Sequence, residues 1–173
     1  MNDNKEPVFL QALMDRAYFR WRNNKDAAGQ VSGYPLSPWA KHPYRTFVNS
    51  LGGLEKKAVL VGNLNYQIEN GGFHQWCENE YVVCADDLVV GVLDVIANSC
   101  VNEKAKKVVN EISDMVSKVH RIWKEVDHRV DDFLNHPDYD ELDRLDTRFY
   151  EINKQFLSIC EAYLVKRFVE GDL

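Results

Sequence analysis

Apolar residues recur along this chain at the three- and four-residue spacing that places them on one side of a helix. Val8, Leu10, Leu13, Met14, Ala17, Tyr18 and Trp21 mark a first helix over residues 7 to 24, with Pro7 suited to its first turn and Asn23, Asn24 and Gly29 closing it. Residues 27 to 43 carry Gly29, Gly33, Pro35, Pro38 and Pro43 and read as a long loop, pinned onto the body by Tyr34 and Trp39. A short helix over Tyr44 to Leu51 stops at Gly52-Gly53. Another runs from Leu54 to Asn70, with Val59, Leu60, Leu64, Gln67 and Ile68 on one side. Gly71 is expected to end it as a left-handed residue, a conformation glycine adopts without a Cβ penalty. Residues 73 to 79 can add a helical turn.

Asp86-Asp87 open the next helix, to about Asn98, where their carboxylates complement the helix dipole. Val108, Ile112, Met115, Val119, Ile122 and Trp123, then Val126, Val130, Phe133 and Leu134, predict one long or two joined helices over 102 to 134. Asn135-His136-Pro137-Asp138 breaks the pattern. Leu142, Leu145, Phe149, Ile152, Phe156, Ile159 and Tyr163 form the apolar stripe of a last helix. Only Val31 and Val82-Val83-Cys84 resemble strand. The pattern predicts an all-α, single-domain bundle of about seven helices spanning residues 1–173, in which residues 1–43 are an N-terminal helix with a long loop packed on it.

Composition fits a chain with its own core: 173 residues, 45% hydrophobic and 28% charged. No stretch is apolar and long enough for a bilayer span, and residues 1 to 6 lack the basic and apolar regions of a signal peptide, so no membrane partner and a cytoplasmic location are expected. Cys77, Cys84, Cys100 and Cys160 form no Cys-x-x-Cys pair and read as reduced, mostly buried thiols.

The chemistry-bearing patterns are thin. His74 and Cys77, and His120 with His128, Asp131 and Asp132, have helical spacings but not the three or four convergent ligands a zinc site needs, so no metal and no cofactor are expected. No nucleophile elbow or phosphate-binding glycine loop occurs, and no enzymatic activity is expected. Arg16 and Arg20 with Tyr18, Phe19 and Trp21 read as the basic exposed side of a helix rather than a nucleic-acid contact.

Charge changes the picture more. The formal net charge of −6 disfavours direct contact with nucleic acid and favours a basic partner. The acids are unevenly placed. No Lys or Arg lies between Lys57 and Lys104, a window holding Glu69, Glu78, Glu80, Asp86, Asp87 and Asp94. Between Glu125 and Glu151 ten carboxylates face only Arg129, Arg144 and Arg148. A solvated helix face accounts for them. So does a surface that imitates a phosphate backbone, because helix residues four apart rise about 6 Å and DNA attracts Lys and Arg through its charge density. The candidate partner-binding residues are Glu125, Asp127, Asp131, Asp132, Asp138, Asp140, Glu141 and Asp143, with Glu78, Glu80, Asp86 and Asp87 as a second patch.

Asn70-Gly71-Gly72-Phe73-His74-Gln75-Trp76, preceded by Asn65 and Glu69, resembles the Asn-Gly-Gly-Phe-x-Gln-aromatic signature of a small bacterial helical family whose namesake is a DNA mimic. Leu145-Asp146-Thr147-Arg148-Phe149-Tyr150 is similar to that family's Leu-Asp-x-x-Phe-Tyr element, and the likeness covers roughly residues 44 to 168. The resemblance implies an all-α domain without known catalytic activity. It also implies a homodimer that binds a helix-turn-helix transcription regulator through an acidic surface and blocks its operator binding. An immunity-type role against a toxin is the alternative. Within the signature, Asn70, Gly71, Gly72, Phe73, Gln75 and Trp76 are expected to be structural, with Phe73 and Trp76 in the core.

Overall fold

A computed structural model describes residues 7–23, 43–126 and 130–171. Seven helical rods stand among the described residues, and no strand: α1 (Val8–Asn23), α2 (Pro43–Ser50), α3 (Gly53–Glu78), α4, α5 (Glu103–Glu125), α6 (Val130–Leu134) and α7 (Tyr139–Val169). The rod α4 is composite, with helical Ala85–Leu88 and Asp94–Ser99 joined by one π turn over Val89–Leu93. The all-α bundle expected from the pattern is what forms. Val82-Val83-Cys84 is part of a 3-10 turn, not a strand, although the burial of both Val82 and Cys84 is the alternation that a strand would also show. The expected loop over 27 to 43, its Tyr34 and Trp39 contacts and the strand candidate Val31 lie outside the described residues, except that Pro43 begins α2.

The centre of the bundle is α3. Residues 58 to 64 are buried without a break, Ala58, Val59, Leu60, Val61, Gly62, Asn63 and Leu64 alike. A helix apolar all round has to be surrounded, and α1, α2 and α7 pack on it. The crossing with α1 is close: a Cβ on Gly62 would sit 1.9 Å from Met14 Sδ. By contrast α5 is strongly one-sided. It buries Val108, Ile112, Met115, Val119 and Ile122 and exposes Lys107, Asp114, Arg121 and Lys124. Its first turn is capped by Asn102, whose side chain accepts from Lys104 N at 2.8 Å.

Two ties across the bundle were invisible in the periodicity. Glu161 on α7 accepts from Phe9 N and Leu10 N, both at 2.7 Å, and so caps α1 from more than a hundred residues away. Those first-turn donors have no partner within their own helix. Glu55, buried near the start of α3, pairs with Arg16 at 2.5 Å and with Arg20. A buried carboxylate needs such pairing to stay charged.

Candidate functional site: the signature kink and the acidic end of the bundle

The glycine signature sits inside α3, where the backbone leaves helical geometry at Gly71 (φ −176°, ψ 24°) and Gly72 (φ 72°, ψ −174°). The left-handed residue is therefore Gly72, not Gly71 as the sequence suggested; Gly71 is extended in φ. The cause lies on α7. Asp146 Oδ1 accepts from Phe73 N at 2.8 Å, which draws its carboxyl against Gly72, where a Cβ would lie 2.0 Å from Asp146 Oδ2. Tyr150 OH donates to Ile68 O at 2.7 Å, a carbonyl ahead of the break. Asn153 Nδ2 donates to Glu69 Oε1 at 2.7 Å.

Phe73 and Phe149 meet edge to face at 5.9 Å, and Phe73 and Trp76 are buried as expected. Gln75 and Asn79 both donate to Gln67 Oε1, at 3.0 and 2.8 Å, across the kink. Asn70 Nδ2 closes the preceding turn by donating to Tyr66 O. The two sequence elements that carry the family resemblance are thus the two halves of one latch. Asp146 is its polar centre, a residue that charge counting alone did not single out.

Around this latch the acidic residues assemble. Glu78, Asp143 and Asp146 all bear on Tyr139, whose phenol is pushed up first by burial, then by Asp143, Glu78 and Asp146. Burial raises Asp146 itself, opposed by the Phe73 N–H, with Asp143 adding to the rise and His74 opposing it. The His74 ring stacks on Phe133 at 6.3 Å with 2° between planes, so it is a packing residue. Its Nε2 lies 3.1 Å from Glu78 Oε1 but outside hydrogen-bond geometry.

The second group is interleaved with cations. Asp86 Oδ1 lies 3.2 Å from His120 Nδ1, and Oδ2 lies 3.6 Å from Lys124 Nζ. Asp87 pairs with Lys56 at 2.9 Å. Glu125 meets His136 Nε2 at 3.1 Å and Arg121 at 3.8 Å, and Arg121 reaches toward Asp138 at 3.9 Å. His136 Nδ1 accepts from Asp138 N, which leaves Nε2 to donate to Glu125. Asp86 and Glu125 share a concavity of about 430 Å³ with His120, Arg121 and Lys124. Glu141 pairs with Lys118 at 2.7 Å and Arg144 at 3.4 Å, and the Lys118 hydrogen bond leads in holding its carboxyl below the usual range.

The two sequence clusters are therefore linked, through Tyr139 and through the concavity that Asp86 and Glu125 share. Asp131, Asp140, Asp143 and Glu80 are exposed, with no side-chain ion pair among the described residues. Asp132 is half-buried. Asp127 and His128 lie outside the described residues. Glu80 takes the left-handed conformation (φ 57°) just ahead of the 3-10 turn.

Among the described residues, no group of three or more His, Cys, Asp and Glu is placed to hold a metal, and no helix is long and apolar enough to cross a membrane. None of the thiols is activated. Burial pushes Cys77, Cys84, Cys100 and Cys160 up, Cys84 to about 11.

The fold and the latch define a small all-α domain in which α3 and α7 are tied by the Asp146–Phe73 hydrogen bond at the Gly72 kink. The chain belongs to the DMP19-like protein family, whose model matches residues 49–167. No curated protein and no solved structure gives a significant match.

Proposed function

We propose that the acidic end of the bundle imitates the phosphate backbone of duplex DNA and binds a basic DNA-binding protein, such as a helix-turn-helix transcription regulator, keeping it from its operator. The observation that carries this reading is the joining of two acidic clusters distant in sequence, Glu78 to Asp87 and Glu125 to Asp143, through Tyr139 and the Asp86–Glu125 concavity. Family membership supports it, as does the net charge of −6. In this reading Asp131, Asp140 and Asp143 are the principal contacts. Glu78, Glu80, Asp86, Asp87, Glu125, Asp138 and Glu141 form the flanking field, and Asp127 and Asp132 belong to the same run of sequence. No catalytic step is involved, and the protein acts in the cytoplasm as a homodimer.

The ion pairs at Asp86, Asp87, Glu125 and Glu141 favour a second reading, in which the same end is a neutralising, immunity-type interface that works by shape. A capture experiment separates the two. The chain is used as bait, washed at low and high salt, and eluted with a short DNA duplex. Mimicry gives a DNA-binding protein that is retained at low salt, lost at high salt and displaced by the duplex. A partner that resists both salt and duplex overturns it. Sedimentation equilibrium checks the dimer.

A further inference from the structure

α1, α2, α3 and the end of α7 line a half-open pocket of about 580 Å³. Its walls are apolar: Trp21 and Phe47, with ring centroids 5.0 Å apart, and Leu51, Leu54 and Phe168. The charged lining is Arg16, Arg20 and Glu55. Glu55 engages Nε of Arg16 and Nη2 of Arg20. The remaining guanidinium N–H groups have no acceptor among the described residues, although both side chains are about half exposed.

Two guanidiniums against one carboxylate leave one positive charge beside an apolar hollow. The size and the mostly apolar lining with a few polar groups are those of a small-molecule site, and a guanidinium pair is suited to a carboxylate head group. Phe168, 44% exposed, is apolar surface that an occupant would cover. Leu13, Arg16, Ala17, Arg20 and Trp21 precede the family-matched residues 49–167, so the pocket depends on a helix that the family match does not include.

We propose that this pocket binds an amphipathic organic monoanion, a medium-chain carboxylate, with its chain against Trp21, Phe47, Leu51 and Phe168 and its head group on Arg16 and Arg20. Decanoate is the probe, titrated calorimetrically into the full chain, with decanol (same chain, no charge) and acetate (same charge, no chain) as matched arms. One-site binding of decanoate is expected, with both matched arms at least about tenfold weaker, the scale of one charge-assisted hydrogen bond or of the lost apolar contact.

Arg20→Gln leaves Glu55 paired with Arg16 and should weaken decanoate about tenfold. Leu51→Glu, at a half-buried wall position, places a competing carboxylate beside the guanidiniums and should weaken it at least as much. Thermal melts confirm that both variants are folded, and the Arg20→Gln titration carries the test should Leu51→Glu melt early. Absent saturation, a stoichiometry above one, decanol binding as tightly as decanoate, or wild-type affinity in folded Arg20→Gln would each overturn the proposal.

Discussion

At the scale of single residues the latch at Gly72 makes the sharpest demands. Its φ of 72° with ψ of −174° lies in a region essentially reserved for glycine, and the Asp146 carboxyl fills the space a Cβ would take. Gly72→Ala should cost about 3 kcal/mol and lower Tm by roughly 10 °C. Gly71→Ala should cost less, because its extended φ is open to any residue and only the crowding by the Gln75 side chain is added. Equal losses in the two thermal melts would contradict this account. The double glycine was legible in the sequence as a break. Which glycine turns left-handed was not, because that depends on a carboxylate 73 positions from the amide it accepts.

Asp146 carries a pH signature of its own. Burial raises its carboxyl above the ordinary 3.8, so the folded state holds this proton more tightly than the unfolded chain does. Its contribution to stability is therefore greatest below the unfolded value and is lost as pH rises through the folded one. Asp146→Asn keeps an acceptor for Phe73 N and does not titrate. Its stability relative to wild type should improve as pH is raised from about 3 to about 6. Denaturant titrations of both proteins across that range read the trend, and a difference that is flat or of opposite slope would remove burial as the dominant cause.

At the scale of elements, periodicity located every helix that packs by an apolar stripe, because burial of such a stripe is what holds those helices in place. It recovered α5 and the break before α7. What it missed are ties made by polar side chains across long separations. Glu161 caps α1, and nothing in the spacing of α7 marks Glu161 apart from other acids. Glu161→Ala should cost about 1–2 kcal/mol, seen as a lower denaturant midpoint and as faster hydrogen exchange at Phe9 and Leu10. Exchange at mid-α5, where Ile112 and Val119 are fully buried, should change only with global stability. If the α1 amides keep wild-type protection relative to α5, the cap contributes nothing. The acidic runs were equally legible as charge and illegible as surface. Their pairing with Lys56, Lys118, Lys124 and His136 depends on packing between elements that the sequence does not order.

Those pairs decide how the whole molecule behaves as an electrostatic object. Duplex DNA carries its charges so densely that counterions condense on it, and their release makes protein binding fall steeply with salt. This chain has a net charge of −6, and of its acidic residues Asp86, Asp87, Glu125 and Glu141 already have Lys or Arg neighbours. In the proposed reading, exposed carboxylates such as Asp131, Asp140 and Asp143 attract a basic groove, but such a surface condenses few ions to release. Screening beyond a Debye length of about 8 Å then remains the main salt effect. If the proposed capture holds, a bound regulator should therefore lose affinity for this protein less steeply than for its operator as salt rises from about 50 to about 200 mM. Inhibition would then strengthen relative to DNA binding at higher ionic strength. Parallel titrations of the regulator against operator duplex and against this protein measure both slopes. A slope here as steep as the operator's would mean that the carboxylates act as a denser array than their pairing permits. No slope at all would move the interface off the acidic end. Asp140→Lys combined with Asp143→Lys should flatten the remaining slope and weaken capture while leaving the fold intact, since neither side chain is buried or ion-paired among the described residues.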